Sequence, residues 1–373
     1  MITGDLFSDT FEAQKYLTEQ IITYIGNKRT LLDFIGSALK KVKAELGKEK
    51  LTVFDVFSGS GVVSRYFKQH AEKLYSNDLE LYANIINRCY LANKSEVDLE
   101  AVSDWIDRIN STARNHPVKG FVSELYAPQD DQCIQPGERV FYTCRNAAFI
   151  DTARQEIEKA PAELKNFLLA PLLYEASVHT NTSGVFKGFY KDRSGLGAFG
   201  GTGKNALTRI LGEIDLKVPV LSNFECESII LQQDASQAAK MVRNADIAYL
   251  DPPYNQHPYG SNYFMLNLIA KNERPQDISS VSGIPKEWNH SPYNRKADAQ
   301  KTLFDLIDNL DAKYVLISYN SEGFVKKEDF IDFLNASGEV SFYSQKYNTF
   351  RGSRNLNQRD LHVKEYLFLL KKN

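Results

Sequence analysis

The feature that most constrains this chain is a sharp strand-to-helix turn. Leu51-Thr-Val-Phe-Asp-Val-Phe is a short apolar run suited to a buried strand. It breaks at Phe57-Ser-Gly-Ser-Gly into Val62-Val-Ser-Arg-Tyr-Phe-Lys-Gln-His-Ala, whose apolar spacing is helical. Glycines 59 and 61 let the backbone turn tightly and come close to a ligand. A helical pattern over Thr30 to Leu46 precedes the turn. A second strand from Lys73, with Asp78 at its tip, and an amphipathic helix over Leu79 to Ala92 follow it. This β-α-β-α series predicts a parallel sheet with helices on its faces.

The alternation stops over residues 97–224. Helical candidates occupy Leu99 to Ala113, Ala147 to Lys159 and Ala162 to Val178, and a glycine-rich, basic, aromatic stretch runs from Gly184 to Gly203. The alternation resumes with a strand running to Asp234, the strand Asp246 to Leu250, a helix over Ala299 to Leu310 and the strand Ala312 to Tyr319. A polar, proline-containing stretch near 272–294 reads as a loop. The end of the chain, Gly338 to Tyr347 and Val363 to Lys372, predicts two antiparallel strands around a basic loop. The expected organisation is a core in two parts, 1–96 and 225–373, around an inserted domain, 97–224.

Several classes drop out on composition. Lys plus Arg number 45 against 47 for Asp plus Glu, so a uniformly basic polyanion binder is excluded and any such affinity must be local. With 43% hydrophobic residues the chain carries a large core and is no disordered tail. Cys89, Cys133, Cys144 and Cys226 lie far apart, and neither they nor the six histidines have ligand spacing, so no metal is expected. The first residues lack the pattern of a secretion signal, and the apolar run Phe167 to Tyr174 is too short to span a bilayer. The expectation is a cytoplasmic protein with no membrane association.

The glycine turn has G-x-G spacing without the third glycine of a dinucleotide fingerprint and without GK[ST]. It suits a nucleoside-type cofactor, and equally a tight turn with no ligand. Asp78 follows about 20 residues later, where such folds place a carboxylate against ribose hydroxyls; a helix cap before Leu79 is the plain alternative. Asp251-Pro-Pro-Tyr254 leaves an apolar strand at the sheet's carboxyl edge. Its prolines remove two donors and fix φ twice, so Asp251 and the Pro252 carbonyl form a rigid pair of acceptors. Two acceptors aimed at one exocyclic amine leave its lone pair free to attack, and Tyr254 offers a face for the same base. An ordinary proline-rich strand exit is the alternative.

Together, FSGSG, the acid after the next strand and DPPY resemble the Dam-like, S-adenosylmethionine-dependent DNA adenine-N6 methyltransferases. Tyr24-Ile-Gly-Asn-Lys28-Arg resembles that family's N-terminal cofactor motif, and the roughly 190 residues between Gly61 and Asp251 leave room for its inserted target-recognition domain. The resemblance implies a Rossmann-like α/β fold, a mostly parallel seven-stranded sheet with one reversed strand near the C-terminus, and a mainly helical insert. It assigns Tyr24, Lys28, Asp55, Phe57, Gly59, Gly61, Asp78 and Asp234 to S-adenosyl-L-methionine. Asp251, Pro252, Pro253 and Tyr254 become the catalytic tetrapeptide, and Asn262-Tyr263 the outer wall of a flipped-base pocket. Thr182 to Lys191 departs from the best-known Dam pattern, so the target sequence is not carried over, and the long loop near 272–294 resembles restriction-modification enzymes.

Double-stranded DNA is the expected partner, with a cognate restriction endonuclease acting separately. Lys187, Lys191, Arg193 and Lys204, interleaved with Phe186, Phe189 and Tyr190, suit phosphate contacts and stacking beside an extruded base. Arg351 and Arg354, with Arg359 nearby, resemble the family's backbone-gripping hairpin loop. Solvated charged loops are the alternative in both cases. Rival functions are an N4-cytosine enzyme, an RNA or protein amino-methyltransferase, and a DNA-binding protein with a degenerate core. A nicotinamide oxidoreductase lacks its third glycine, and no cysteine follows a proline as a C5-cytosine nucleophile does.

Overall fold

A computed structural model describes residues 11–348 and 362–373. Its centre is one sheet of seven strands: β1 (Leu51–Asp55), β2 (Ala71–Asn77), β3 (Glu227–Leu231), β4 (Ala245–Leu250), β5 (Ala312–Asn320), β6 (Gly338–Asn348) and β7 (His362–Lys372). The spatial order is β3-β2-β1-β4-β5-β7-β6. All neighbours pair in parallel except β7, which runs against both β5 and β6. This is the expected Rossmann-like methyltransferase sheet, with its one reversed strand near the C-terminus.

Helices cover both faces, which is why β4 is buried along its whole length. Leu32–Leu46 and Val62–Lys68 pack on one face. Ala235–Met241, Ala299–Asn309 and Lys327–Ser337 pack on the other. The last of these carries Phe330 and Phe333 at helical spacing; Phe330 is buried in this cluster and Phe333 packs against it. Leu99–Asn115, Cys144–Glu158 and Lys165–Val178 bury their apolar sides against Leu81–Tyr90 and Phe264–Lys271 in a third cluster. Among the described residues no helix is long and apolar enough to cross a membrane.

The chain fills β1, β2 and β3 in one direction and β4 and β5 in the other, so the sheet reverses direction between β1 and β4. Because these strands are parallel, the segments after β1, β2, β3, β4 and β5 all emerge on one edge. Open α/β sheets bind ligands at that edge, at the reversal.

Candidate active site

The turn after β1 is held open by two left-handed residues. Gly59 has φ +52°, and a Cβ there would lie 2.9 Å from the Tyr24 ring. Its N–H donates to Asp78 Oδ2 at 2.9 Å, while Asp78 Oδ1 accepts the Glu80 N–H at 2.9 Å. Asp78 therefore ties β2 to the glycine turn; the helix after it begins at Leu81, beyond its reach as an N-cap. Gly61, with φ +74°, faces Asn87, whose Oδ1 would meet an added Cβ at 2.3 Å. It shapes the turn from behind and lies outside the cleft lining.

The turn opens into a cleft enclosing about 910 Å³. Tyr24, Lys28, Asp55, Phe57, Gly59, Asp78, Asp234, Asp251 and Pro253, all singled out from sequence, line it. Asp55 is fully buried. Its Oδ2 accepts the Ser64 hydroxyl at 2.6 Å, but its Oδ1 has no partner, and burial pushes its carboxyl up to about 7. An orphaned buried oxygen in a cleft wall calls for a donor or a cation from outside. Asp234 caps the helix Ala235–Met241 by accepting the Ser236 N–H at 2.9 Å. Tyr24 is the middle ring of a stack, its centroid 5.0 Å from Tyr259 and 4.9 Å from Tyr263.

The lining residues that sequence reasoning missed include Glu80, Asn289, Tyr293 and Asn294. Glu80 accepts from Asn267 and Asn289, and burial pushes it up to about 7 against those bonds. Asn289, Tyr293 and Asn294 come from the loop read as polar and structureless. The short 3-10 turn Pro292–Asn294 at the end of that loop sits in the cleft wall. Asn289 is the only one with a visible signal, an amide inside a polar run, and that signal is nonspecific.

Asp251 follows β4 and forms an ion pair with Lys28 at 2.9 Å. Lys28 pairs with a second carboxylate, Glu365 on β7, at 3.1 Å. Burial alone would lower the lysine, but the two acids hold its ammonium above its ordinary value. Burial raises Asp251, opposed by Lys28 and reinforced by Glu365, to about 6. Lys28 thus touches the DPPY carboxylate as well as the cleft. Pro252 is buried, and the Tyr254 carbonyl accepts the Phe324 N–H, anchoring the tetrapeptide to the segment after β5.

Tyr254 faces a second, wider trough enclosing about 3130 Å³. Tyr24, Gly26, Asn27 and Lys28 border both cavities, so the two meet beside Asp251. Lys191 and Arg193 line the trough, Lys191 with its ammonium 5.2 Å from the Phe189 ring centroid. Lys187 and Lys204 are exposed on the same stretch but outside the lining, and none of the four is ion-paired among the described residues. Phe186, expected near an extruded base, is a core residue packed on Phe141 and Phe264. Tyr263, expected as an outer pocket wall, is fully buried: it stacks on Tyr24 and its hydroxyl accepts the Ile25 N–H at 2.8 Å. Tyr259, four residues earlier, lines the cleft instead. Arg351, Arg354 and Arg359 lie outside the described residues.

Comparison with known proteins was made on this basis. The family model of the D12 class N6 adenine-specific DNA methyltransferases matches residues 24–333. Type II methyltransferase M.CviAII of Paramecium bursaria Chlorella virus 1 is 30% identical over 358 residues, covering 94% of this chain and 98% of the viral protein. Type II methyltransferase M.NlaIII of Neisseria lactamica is 29% identical over 367 residues, 94% and 99% of the two chains. M.FokI of Planomicrobium okeanokoites is 27% identical across 94% of this chain but only 52% of its own length.

Proposed function

This chain belongs to the D12 class of N6 adenine-specific DNA methyltransferases, and from that premise we propose that S-adenosyl-L-methionine occupies the acidic cleft and that Asp251 receives the amine of an adenine flipped from duplex DNA. One observation carries the reading: an acidic cleft and a wider trough lined by Lys191 and Arg193, which have no ion-pair partner among the described residues, meet beside Asp251. Asp55, Asp78, Glu80, Asp234 and Asp251 give the cleft a carboxyl-rich wall, suited to a ligand with a sulfonium and an ammonium. The unpartnered Asp55 Oδ1 suits the cationic methionine end, with Phe57 and Gly59 beside it and Gly61 setting the turn. Asp78 and Glu80 suit the ribose, and Asp234 the adenine amine. When bound, that group would supply an electrophilic methyl carbon.

The chain's own residues do the rest. Asp251 and the Pro252 carbonyl accept from the N6 amine and free its lone pair, while Pro253 fixes their direction. Tyr254 stacks on the base. Lys191 and Arg193, with Lys187 and Lys204 beside them and Arg351 and Arg354, contact phosphates. Residues 97–224 act as the target-recognition domain between core segments 1–96 and 225–373, and the chain works alongside a restriction endonuclease in a restriction-modification system. Relatives named Type II methyltransferases support that last point.

The test is to supply labelled S-adenosylmethionine and unmethylated plasmid, digest the DNA to nucleosides and weigh the labelled product. The expected product is N6-methyladenine from the wild type and none from Asp251→Ala, with cofactor binding kept within about threefold. Label in N4-methylcytosine, or full activity in D251A, would overturn the reading.

A further inference from the structure

Glu365 is the one acid on the inward face of β7, where Val363, Leu367 and Leu369 are its buried companions, and it is itself only 2% exposed. It pairs in register with Asn320 at the end of β5, which brings it to the ligand-binding edge because β7 runs backwards. Its Oε1 accepts the Ser318 hydroxyl at 2.6 Å and meets the Lys28 ammonium at 3.1 Å. The same ammonium lies 2.9 Å from Asp251 Oδ1. A buried carboxylate is costly unless something uses its charge, and the core packing of β7 has no need of one.

Charge accounting gives it a use. Lys28 and Asp251 alone would form a neutral pair, with the lysine holding the oxygen that must accept from the substrate amine. With Glu365 ionised, the ammonium is shared between two carboxylates and the trio carries a net charge of −1. As the amine takes the methyl group and the C–S bonding pair stays on sulfur, it gains positive charge before its proton passes to water, so a net negative neighbour favours the transition state over the ground state. Resting on the reading of Asp251 as the acceptor, we propose that Glu365 is a positioning residue for methyl transfer: acting through Lys28 and held by Ser318, it keeps the site net negative and leaves Asp251 able to bind the amine. Glu365 borders the trough but is nearly buried and reaches Asp251 through Lys28, so its contribution is expected on the chemical step.

The groups facing Asp251 are Lys28 from the N-terminal segment, Glu365 from β7, Asp55 from β1, Tyr249 from β4, and Tyr254 and Tyr259 beyond the tetrapeptide. Glu365 raises the Asp251 carboxyl, so removing its charge shifts the acid limb of the rate profile to lower pH. A fold defect would lower the rate with no such shift. For Glu365→Gln, the expected result is a kcat about tenfold lower or less, KM values for cofactor and DNA within about threefold, and an acid limb displaced downward. Glu365→Asp, which keeps the charge, is expected to restore part of kcat and the original limb.

If E365Q does not fold, Ser318→Ala decides. Loss of its hydroxyl removes the group that holds Glu365 against Lys28, so kcat is expected to fall while the KM values for cofactor and DNA stay within about threefold. Wild-type kcat and an unmoved limb in E365Q, or wild-type kcat in S318A where E365Q cannot be measured, overturn the inference. An active D251A would instead sink the underlying reading, so the two failures are distinguishable.

Discussion

Between pH 8 and pH 5 methyl transfer should slow by about tenfold, because Asp251 accepts from an amine only while it is ionised. Burial is the largest cause holding this carboxyl up, Lys28 opposes it and Glu365 adds to it, leaving it at about 6 against an ordinary 3.8. With that midpoint, about nine tenths of Asp251 is ionised at pH 7 and about one tenth at pH 5. A carboxyl at its ordinary value would still be about nine tenths ionised at pH 5. The assay is kcat/KM for unmethylated duplex DNA at saturating cofactor, with the fold checked by circular dichroism at each pH. Saturation matters because Asp55, raised by burial to about 7, also titrates in the cleft, and bound cofactor takes its protonation out of the profile. Asp251→Asn is the control: its residual rate, lower by about 10²–10³-fold, should show no limb near 6. A wild-type profile that stays flat from pH 8 to 5 would refute the argument, since it requires either an unburied carboxylate or one that the reaction does not use.

Two further outcomes follow from the cleft and the trough. Asp55→Asn is expected to weaken cofactor binding at least about tenfold by calorimetry while melting above the wild type at pH 8. The carboxyl is raised from 3.8 to about 7 in the fold, so the folded chain holds the extra proton and stability falls as pH rises through that window. The two melting curves should converge below pH 4, and equal melting temperatures at both extremes would count against a buried, unpaired Asp55. Lys191→Ala with Arg193→Ala should lower the slope of log affinity against log salt by about 1.8, two phosphate contacts at about 0.9 each; an unchanged slope would mean that this stretch faces solvent away from DNA.

What could be read from the sequence was whatever depended on neighbours in the chain. β1, β4 and β5 are apolar runs bounded by turn residues, so their place and burial follow from local composition. Gly59, Asp78 and Asp251 sit at strand ends, so a parallel sheet is enough to bring them to one edge. Lys28 was legible as part of an N-terminal motif, but its part in binding Asp251 and Glu365 was not, because those partners lie more than 200 and 300 residues away. Tyr263 erred in the opposite direction. Resemblance put it at a pocket wall, and stacking on Tyr24 took it into the core, leaving Tyr259 to face the cleft.

The loop near 272–294 and Glu365 show why polar residues are harder to place than apolar ones. An apolar residue is driven inward by any neighbour of its kind, so periodicity alone predicts burial. A polar side chain goes where one specific partner waits, and nothing in Asn289 names Glu80, 209 positions earlier. Glu365 left a fainter trace. Along Val363-Lys-Glu-Tyr-Leu-Phe-Leu, every second residue from Val363 is buried on one face of the sheet, and one of them is charged, while Phe368 is buried on the other face. Breaking the alternation inside a buried strand costs stability unless a cation meets the acid. A single acid out of pattern on a core strand therefore predicts a buried basic partner; the buried cations among the described residues are Lys28, Lys68, Arg65 and Arg154, and the two arginines donate to backbone carbonyls, Arg65 to Tyr16 and Glu19 and Arg154 to Ile269 and Ala270. Lys68 donates to backbone carbonyls and Asn93 near Leu91, at the far end of its helix from the glycine turn. That leaves Lys28, which lines the same cleft as the glycine turn, as the match, and through it the out-of-pattern acid of β7 reaches the catalytic edge.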